Sequence, residues 1–281
     1  MTVATLQSLL STGGVQSAIQ RASLKTGVDF SYLLGQAQVE SSLRPDAKAP
    51  TSSASGLYQF IEQSWLGTVK QHGAEHGLGW AADKISQGAS GRYYVSDTAT
   101  RDYILKLRNN PEVASLMAAE YASDNKAELE ASLGRTVGGA DLYMAHFLGV
   151  GGAKKFLSTL ASNPGAAAAH LFPAAAASNR NVFFGEGGQA RSVAEIYDRF
   201  AAKLQRGAEI AAGGKELPPV AAPGKANPFQ LAVLERQQGD QDQPEVATLD
   251  QLLASADRPS LLRPTPENAK LAYMLLASMG G

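Results

Sequence analysis

Cysteine is absent from the 281 residues of this chain. Its absence excludes disulfides, thiolate metal ligands and a cysteine nucleophile. The sequence also lacks an apolar run of about 18–20 residues, the length needed to cross a bilayer. Residues 1–10 contain neither a basic segment nor a sustained apolar one. A standard secretory signal is therefore not predicted, which leaves three interpretations: the protein stays inside the cell, it leaves by another route, or its true N-terminus precedes this sequence.

An excess of charge of either sign is also missing. The chain has 25 Lys and Arg residues against 26 Asp and Glu residues, a formal net charge of −1. This balance gives no reason to expect a nucleic-acid partner. What the chain does have is apolar residues, at 44% of its composition. That share and the chain length predict a sizeable core in one or two domains.

Strand-like alternation of polar and apolar residues is nearly absent, whereas apolar residues recur at three- and four-residue spacing as far as residue 212. The sequence therefore predicts an all-α fold. The predicted helices are Val15–Thr26, Phe30–Leu43, Leu57–Gln71, Thr98–Leu107, Glu112–Leu133, Ala140–Leu148, Ala153–Leu160 and Val193–Leu204.

The composition changes near Gly213, where several prolines and a polar run follow. Proline removes a backbone donor and fixes φ, so residues 213–245 predict a largely irregular linker. Short helical signals return at Ala247–Ala254 and Pro266–Met279. We therefore expect a helical domain over 1–212, a linker over 213–245 and a short helical tail over 246–281. Three interpretations of the tail stay open: it docks on the domain, it binds a partner, or it is disordered.

One carboxyl group lies on an apolar helix face. Asp29 is a good N-cap for the predicted helix, and Pro45 disfavours helical geometry at the residue before it. Between them, an apolar stripe continues by three residues onto Glu40. Burial and the negative end of the helix dipole both disfavour a charged carboxylate. The pattern therefore predicts a general acid at Glu40, with a solvated edge residue as the alternative.

A loop of small residues follows and leads into Gly56-Leu57-Tyr58-Gln59-Phe60. Gly56 permits a tight turn and close approach of a ligand to the backbone. Gln59 can donate and accept hydrogen bonds, which suits a sugar N-acetyl group. Tyr58 and Phe60 offer flat apolar surfaces, and we expect one of these two rings to lie in the core.

Taken together, Glu40-Ser41 and Gly56-Leu57-Tyr58-Gln59 resemble the signature of the soluble lytic transglycosylases, which form glycoside hydrolase family 23 in the lysozyme-like superfamily. The family pattern is Glu-Ser, then Gly-Leu-Met-Gln, then Ala-Tyr-Asn. Tyr58 stands in the Met place. Ala145-His146-Phe147 stands at the third motif, so His146 and Phe147 replace the usual Tyr and Asn. The resemblance covers residues 15–205.

This resemblance implies a lysozyme-like helical catalytic domain that cleaves the β-1,4 bond between N-acetylmuramic acid and N-acetylglucosamine in peptidoglycan. It implies that Glu40 is the single acid and base, that the product carries a 1,6-anhydromuramic end, and that no metal or cofactor takes part. The implied substrate-binding residues are Ser41, Gly56, Tyr58, Gln59, Phe60, Tyr121, His146 and Phe147.

The same resemblance implies glycan strands of peptidoglycan as the partner and the periplasm or cell envelope as the location. We expect a monomer that a flagellar or secretion apparatus exports and binds through residues 213–281. Two alternatives stay open: a muramidase that uses water, and a peptidoglycan-binding or assembly protein without activity. Water chemistry needs a second carboxyl group, for which Glu62 and Glu120 are the candidates.

Two histidines, His72 and His76, occur at a spacing that can bind metal, with Glu75 between them. Their order is not that of a zinc protease helix, and Gly73 and Gly77 weaken a helix there. From the sequence we therefore expect no metal.

Overall fold

Helices dominate the part of the chain that the structure describes, as the apolar spacing predicts. The structure is a computed structural model that describes residues 3–50, 52–215 and 217. The predicted tail over 246–281 and most of the predicted linker over 213–245 lie outside the described residues.

The longer helices are α1 (Val3–Thr26), α2 (Phe30–Ser41), α3 (Glu62–His72), α5 (Thr98–Lys106), α6 (Pro111–Leu133), α7 (Gly139–Ser162) and α11 (Val193–Ala211). Four shorter ones are α4 (Gly79–Lys84), α8 (Ala168–Leu171), α9 (Pro173–Ser178) and α10 (Arg180–Phe183), and 3-10 helices occupy Gly73–His76 and Leu107–Asn109. Strands β1 (Ser86–Gln87) and β2 (Tyr93–Tyr94) form one antiparallel pair.

The chain divides into two compact units. Among the described residues, the first unit comprises 3–26 and 40–120, and the second comprises 27–39 and 121–217. Sequence analysis treats 1–212 as one domain, and that boundary stays a prediction.

The core of the first unit forms around Trp65 on α3, which is fully buried. Its indole Nε1 donates to the carbonyl oxygen of Ile104 at 2.8 Å, so burial leaves no unpaired donor on this ring. The β1–β2 pair is tied to α3 through Gln63, whose side-chain amide exchanges two hydrogen bonds with the backbone of Tyr93, both 2.9 Å long. These contacts position the start of α3 in this unit.

The second unit packs α7 against α11 and brings α2 close to α11. A Cβ on Gly35 would lie 2.6 Å from the carbonyl oxygen of Leu204, so only glycine allows this approach. The buried carboxylate of Asp141 accepts from Arg135 at 2.7 Å, from the Tyr197 hydroxyl at 3.1 Å and from the Gly138 N–H at 3.0 Å. Its hydrogen-bonding capacity is therefore well used inside this unit.

Most of the predicted helices are present, but several bounds differ: α1 begins at Val3 and not at Val15, α2 ends at Ser41 and not at Leu43, and α11 continues to Ala211. The short helices α4, α8, α9 and α10 are not predicted. The predicted helix Leu57–Gln71 is wrong at its start, because α3 begins at Glu62. The predicted helices Ala140–Leu148 and Ala153–Leu160 form one stretch, α7, with non-helical angles at Gly149 (φ 71°, ψ 160°). The all-α class is confirmed, with the small β1–β2 pair as an addition.

None of the helices described above is, over the described residues, both long enough and apolar enough to cross a bilayer.

Candidate functional site

The candidate acid, Glu40, lies in the last turn of α2 and is half-buried. The helix starts where the sequence predicts, because the Tyr32 N–H donates to the Asp29 side chain at 2.8 Å. It ends earlier than predicted, since Ser42 and Leu43 adopt left-handed angles (φ 54° and 59°) before Pro45 is reached. Glu40 therefore lies at a helix terminus, partly shielded from water.

The residue after the acid connects α2 to the next segment of the site. Ser41 is buried, and its hydroxyl donates to the carbonyl oxygen of Leu57 at 2.8 Å. The predicted role of Ser41 is substrate binding, and that role stays a prediction. In the structure, the hydrogen bond from this hydroxyl holds the 56–60 segment beside the end of α2.

The 56–60 segment is a turn and not the start of a helix. Gly56 has φ 82°, and a Cβ there would lie 2.0 Å from the carbonyl oxygen of Arg108, so the position requires glycine. Its N–H donates to the Ala47 carbonyl at 2.7 Å. Gln59 also adopts a left-handed conformation (φ 48°). These backbone angles explain why the helix predicted from Leu57 begins only at Glu62.

The side-chain amide of Gln59 stabilises this turn. Its Nε2 donates to the carbonyl oxygens of Ala47 and Gly56 at 3.1 and 2.9 Å. A primary amide nitrogen has two hydrogens, so these two bonds use its donor capacity. The acceptor oxygen Oε1 is then the atom through which the half-buried Gln59 can bind a ligand.

The rings of Tyr58 and Phe60 both pack in the core, whereas sequence analysis expects only one of them there. Tyr58 is 1% exposed, and burial raises the pKa of its hydroxyl well above the usual value, with the Ser115 hydroxyl as an opposing influence. Phe60 packs edge-to-face on Trp65, with ring centroids 5.3 Å apart. Their burial does not support direct contact of either ring with substrate.

The sequence gives no indication of the role of Arg108, whose guanidinium group is bonded to the backbone of the 56–60 turn and of the loop before it. The residue is buried, and its guanidinium Nη1 donates to the carbonyl oxygens of Ser53 and Phe60 at 2.6 and 2.9 Å. Burial lowers the pKa of Arg108, and the Glu62 carboxylate opposes that shift. The partners lie about 50 residues away in sequence, so no local pattern could have indicated this role.

Both candidates for a second carboxyl group have basic partners. Glu62 accepts two hydrogen bonds from Arg101, at 3.0 and 2.5 Å. Glu120 lies 2.7 Å from Nε2 of His76. Each carboxylate is therefore engaged in a structural ion pair or hydrogen bond.

The remaining predicted residues belong to the second unit. Tyr121 on α6 and His146 on α7 are half-buried, and the His146 ring lies 5.7 Å from that of Tyr143. Phe147 packs on Phe200 at a centroid distance of 5.0 Å, which is a core contact. Their predicted roles in substrate binding stay predictions.

The geometry thus joins Ser41, the residue after Glu40, to the 56–60 turn in the first unit. A comparison with models of known protein families finds none that matches this chain. The resemblance to the lytic transglycosylases therefore stays a prediction that depends on the motif residues alone.

Proposed function

We propose that the chain is a peptidoglycan lytic transglycosylase with a lysozyme-like catalytic domain. One observation carries this proposal: Glu40 is half-buried at the end of α2, and the adjacent Ser41 is bonded to the turn that carries Gln59. A single carboxyl group in a partly desolvated position, followed by a serine that is bonded to the turn with the Gln59 amide, meets the minimum requirement for this chemistry.

Glu40 acts first as an acid in the proposed reaction. Its proton passes to the oxygen that joins C1 of N-acetylmuramic acid to C4 of N-acetylglucosamine, and the C1–O bond breaks. The substrate's own 2-acetamido group stabilises the positive charge that develops at C1. The Glu40 carboxylate then takes the proton of the C6 hydroxyl while O6 bonds to C1. The 1,6-anhydro ring closes, Glu40 is protonated again, and no water is consumed.

The engagement of the other carboxylates supports a one-acid mechanism over hydrolysis. A hydrolytic glycosidase needs a second carboxylate to act as nucleophile or to activate water. Glu62 is bonded to Arg101 and Glu120 to His76. Neither is therefore a good second catalytic carboxylate. Gln59 Oε1 would accept from the N-acetyl N–H of the sugar and so orient it.

Product analysis of digested sacculi tests the proposal. Glu40→Gln removes the transferable proton at nearly unchanged size, so turnover should fall by about 10²–10⁴-fold with the fold intact. The matched control is Glu186→Gln, an exposed carboxylate on the second unit, and it should digest sacculi as the wild type does. Mass spectrometry should find anhydromuropeptides in the digests made by the wild type and by Glu186→Gln.

Two other results of this digestion would each contradict the proposal. Reducing-end muramic acid would indicate the hydrolytic muramidase, and no release by the wild type would indicate a binding or assembly protein. Equal activity of the Glu40→Gln and wild-type proteins would remove Glu40 from the mechanism.

The substrate determines the proposed location. Peptidoglycan lies outside the cytoplasmic membrane, so the enzyme works in the periplasm or cell envelope. Export by a flagellar or secretion apparatus, with residues 213–281 as the segment that binds it, would bring the enzyme to its substrate.

A further inference from the structure

The structure brings two histidines and two carboxylates together at one end of α3, all within the first unit. His72 is the last residue of α3, and Glu75 and His76 lie on the 3-10 helix Gly73–His76 that follows. Glu120 on α6 completes the group. The sequence shows the first three as neighbours, but only the fold adds Glu120.

Three residues of this group offer ligand atoms that lie close to one another. His72 Nδ1 lies 3.7 Å from Glu120 Oε2 and 4.0 Å from Glu75 Oε2. Suitable ligand atoms of all three residues lie within 4.8 Å of one another. Bonds of about 2.1 Å to a tetrahedral zinc ion would place neighbouring ligand atoms about 3.4 Å apart. The two separations from His72 Nδ1 are longer than hydrogen bonds, and they exceed the spacing of zinc ligands by about 0.3 and 0.6 Å, so the side chains would have to close in around the ion.

The surroundings of Glu120 favour this use of its carboxylate. His76, whose side chain is 5% exposed, holds Oε1 at 2.7 Å, which leaves Oε2 on the side of His72. Such a hydrogen bond to the second oxygen fixes the orientation of a ligating carboxylate. Glu75 is 67% exposed, so it gives access from solvent and can move to close the site.

We propose that His72, Glu75 and Glu120 bind one Zn²⁺ ion, with His76 orienting Glu120 and water completing the coordination. A set of one imidazole and two carboxylates suits a borderline ion, whereas Ca²⁺ and Mg²⁺ prefer oxygen ligands alone. The cation would also offset the repulsion between two carboxylates held close together. This inference is independent of the proposed glycosidic cleavage, since its test measures zinc and not product.

The test uses the full chain, stripped of metal with a chelator and titrated with Zn²⁺ against a chromophoric zinc indicator. We expect one equivalent to bind and the melting temperature to rise. Glu75→Gln should weaken zinc binding at least about 10-fold. Because this side chain is mostly exposed, the variant should keep the melting temperature of the metal-free wild type. His72→Gln should weaken binding further.

The matched controls are Glu186→Gln and His170→Gln, both at exposed positions of the second unit. They should bind zinc as the wild type does. The proposal is overturned if the wild type takes up no zinc, or if Glu75→Gln and His72→Gln bind it as tightly as the controls. Either result would make this group an ion-pair network only. Equal displacement of Zn²⁺ by Ca²⁺ at similar concentration would also contradict the assignment of the metal.

Discussion

Gly56 shows how one residue positions the candidate site. Its φ of 82° lies in the left-handed region, and its α-carbon faces the carbonyl of Arg108 with no room for a side chain. The same turn receives the Ser41 hydroxyl at Leu57 and the two Gln59 amide bonds. The position of the turn relative to Glu40 therefore depends on a residue that makes no side-chain contact.

Gly56→Ala should destabilise the protein strongly. The added Cβ would lie 2.0 Å from a backbone carbonyl oxygen, and the left-handed angle adds strain. Together these costs should lower the free energy of unfolding by at least about 2 kcal/mol. Urea denaturation measures the change.

The matched control is Gly14→Ala on α1, where an added Cβ has nothing within 4 Å. Helix propensity favours alanine there by about 1 kcal/mol, so this variant should be as stable as the wild type or more so. Equal stability of Gly56→Ala and the wild type would contradict the packing of the turn against Arg108.

At the scale of single helices, neighbouring residues predict helix caps well. They fail to predict a helix end that depends on a contact with a residue distant in sequence. Asp29 caps α2 as predicted, because a cap depends only on residues within one turn. The predicted start of α3 at Leu57 is wrong, because Gln59 adopts left-handed angles in a turn that Arg108 holds. The partner of His76 was missed for the same reason, since Glu120 comes from another helix.

The start of α11 is fixed by a capping box that depends on pH. The Ser192 N–H donates to Glu195 at 2.7 Å, and the Glu195 N–H donates to the Ser192 hydroxyl at 3.2 Å. The backbone bond and then the hydroxyl bond from Ser192 lower the pKa of Glu195 below its usual value of 4.5. Because the pKa of Glu195 is lower in the folded protein than in the unfolded chain, its carboxylate stabilises the fold above the usual pKa of 4.5. This stabilisation is lost as the pH falls through the lower pKa of the folded protein.

Glu195→Gln should therefore flatten the acid side of the stability curve. Glutamine can also form a capping box, so the variant should fold normally at neutral pH, but it cannot be protonated in this range. Between about pH 6 and pH 3, the free energy of unfolding should fall less for Glu195→Gln than for the wild type. Urea unfolding at a series of pH values measures both curves, and parallel curves would contradict this role of Glu195.

For the whole molecule, the apolar pattern predicts the all-α class, because helix periodicity is repeated in nearly every element. It does not predict that the described residues divide into two units. Those units take residues from separate stretches of chain, and α2 and α6 each contribute to both. Such a division depends on long-range packing, which spacing along one helix does not encode. Sequence motifs could indicate Glu40-Ser41 and the 56–60 turn as one site, but they could not indicate that Glu120 joins His72 and Glu75.

Removal of the C-terminal region should separate the proposed catalysis from the proposed targeting. Glu40, the 56–60 turn and their supports all precede residue 121, so a chain ending at residue 217 should release the same anhydromuropeptides from purified sacculi as the full chain. In cells, only the full chain should cross-link to proteins of an export apparatus, because residues 213–281 are the proposed binding segment. Affinity purification followed by mass spectrometry measures this difference, with circular dichroism as the control for folding. Recovery of the same envelope proteins by both chains would place the binding segment elsewhere.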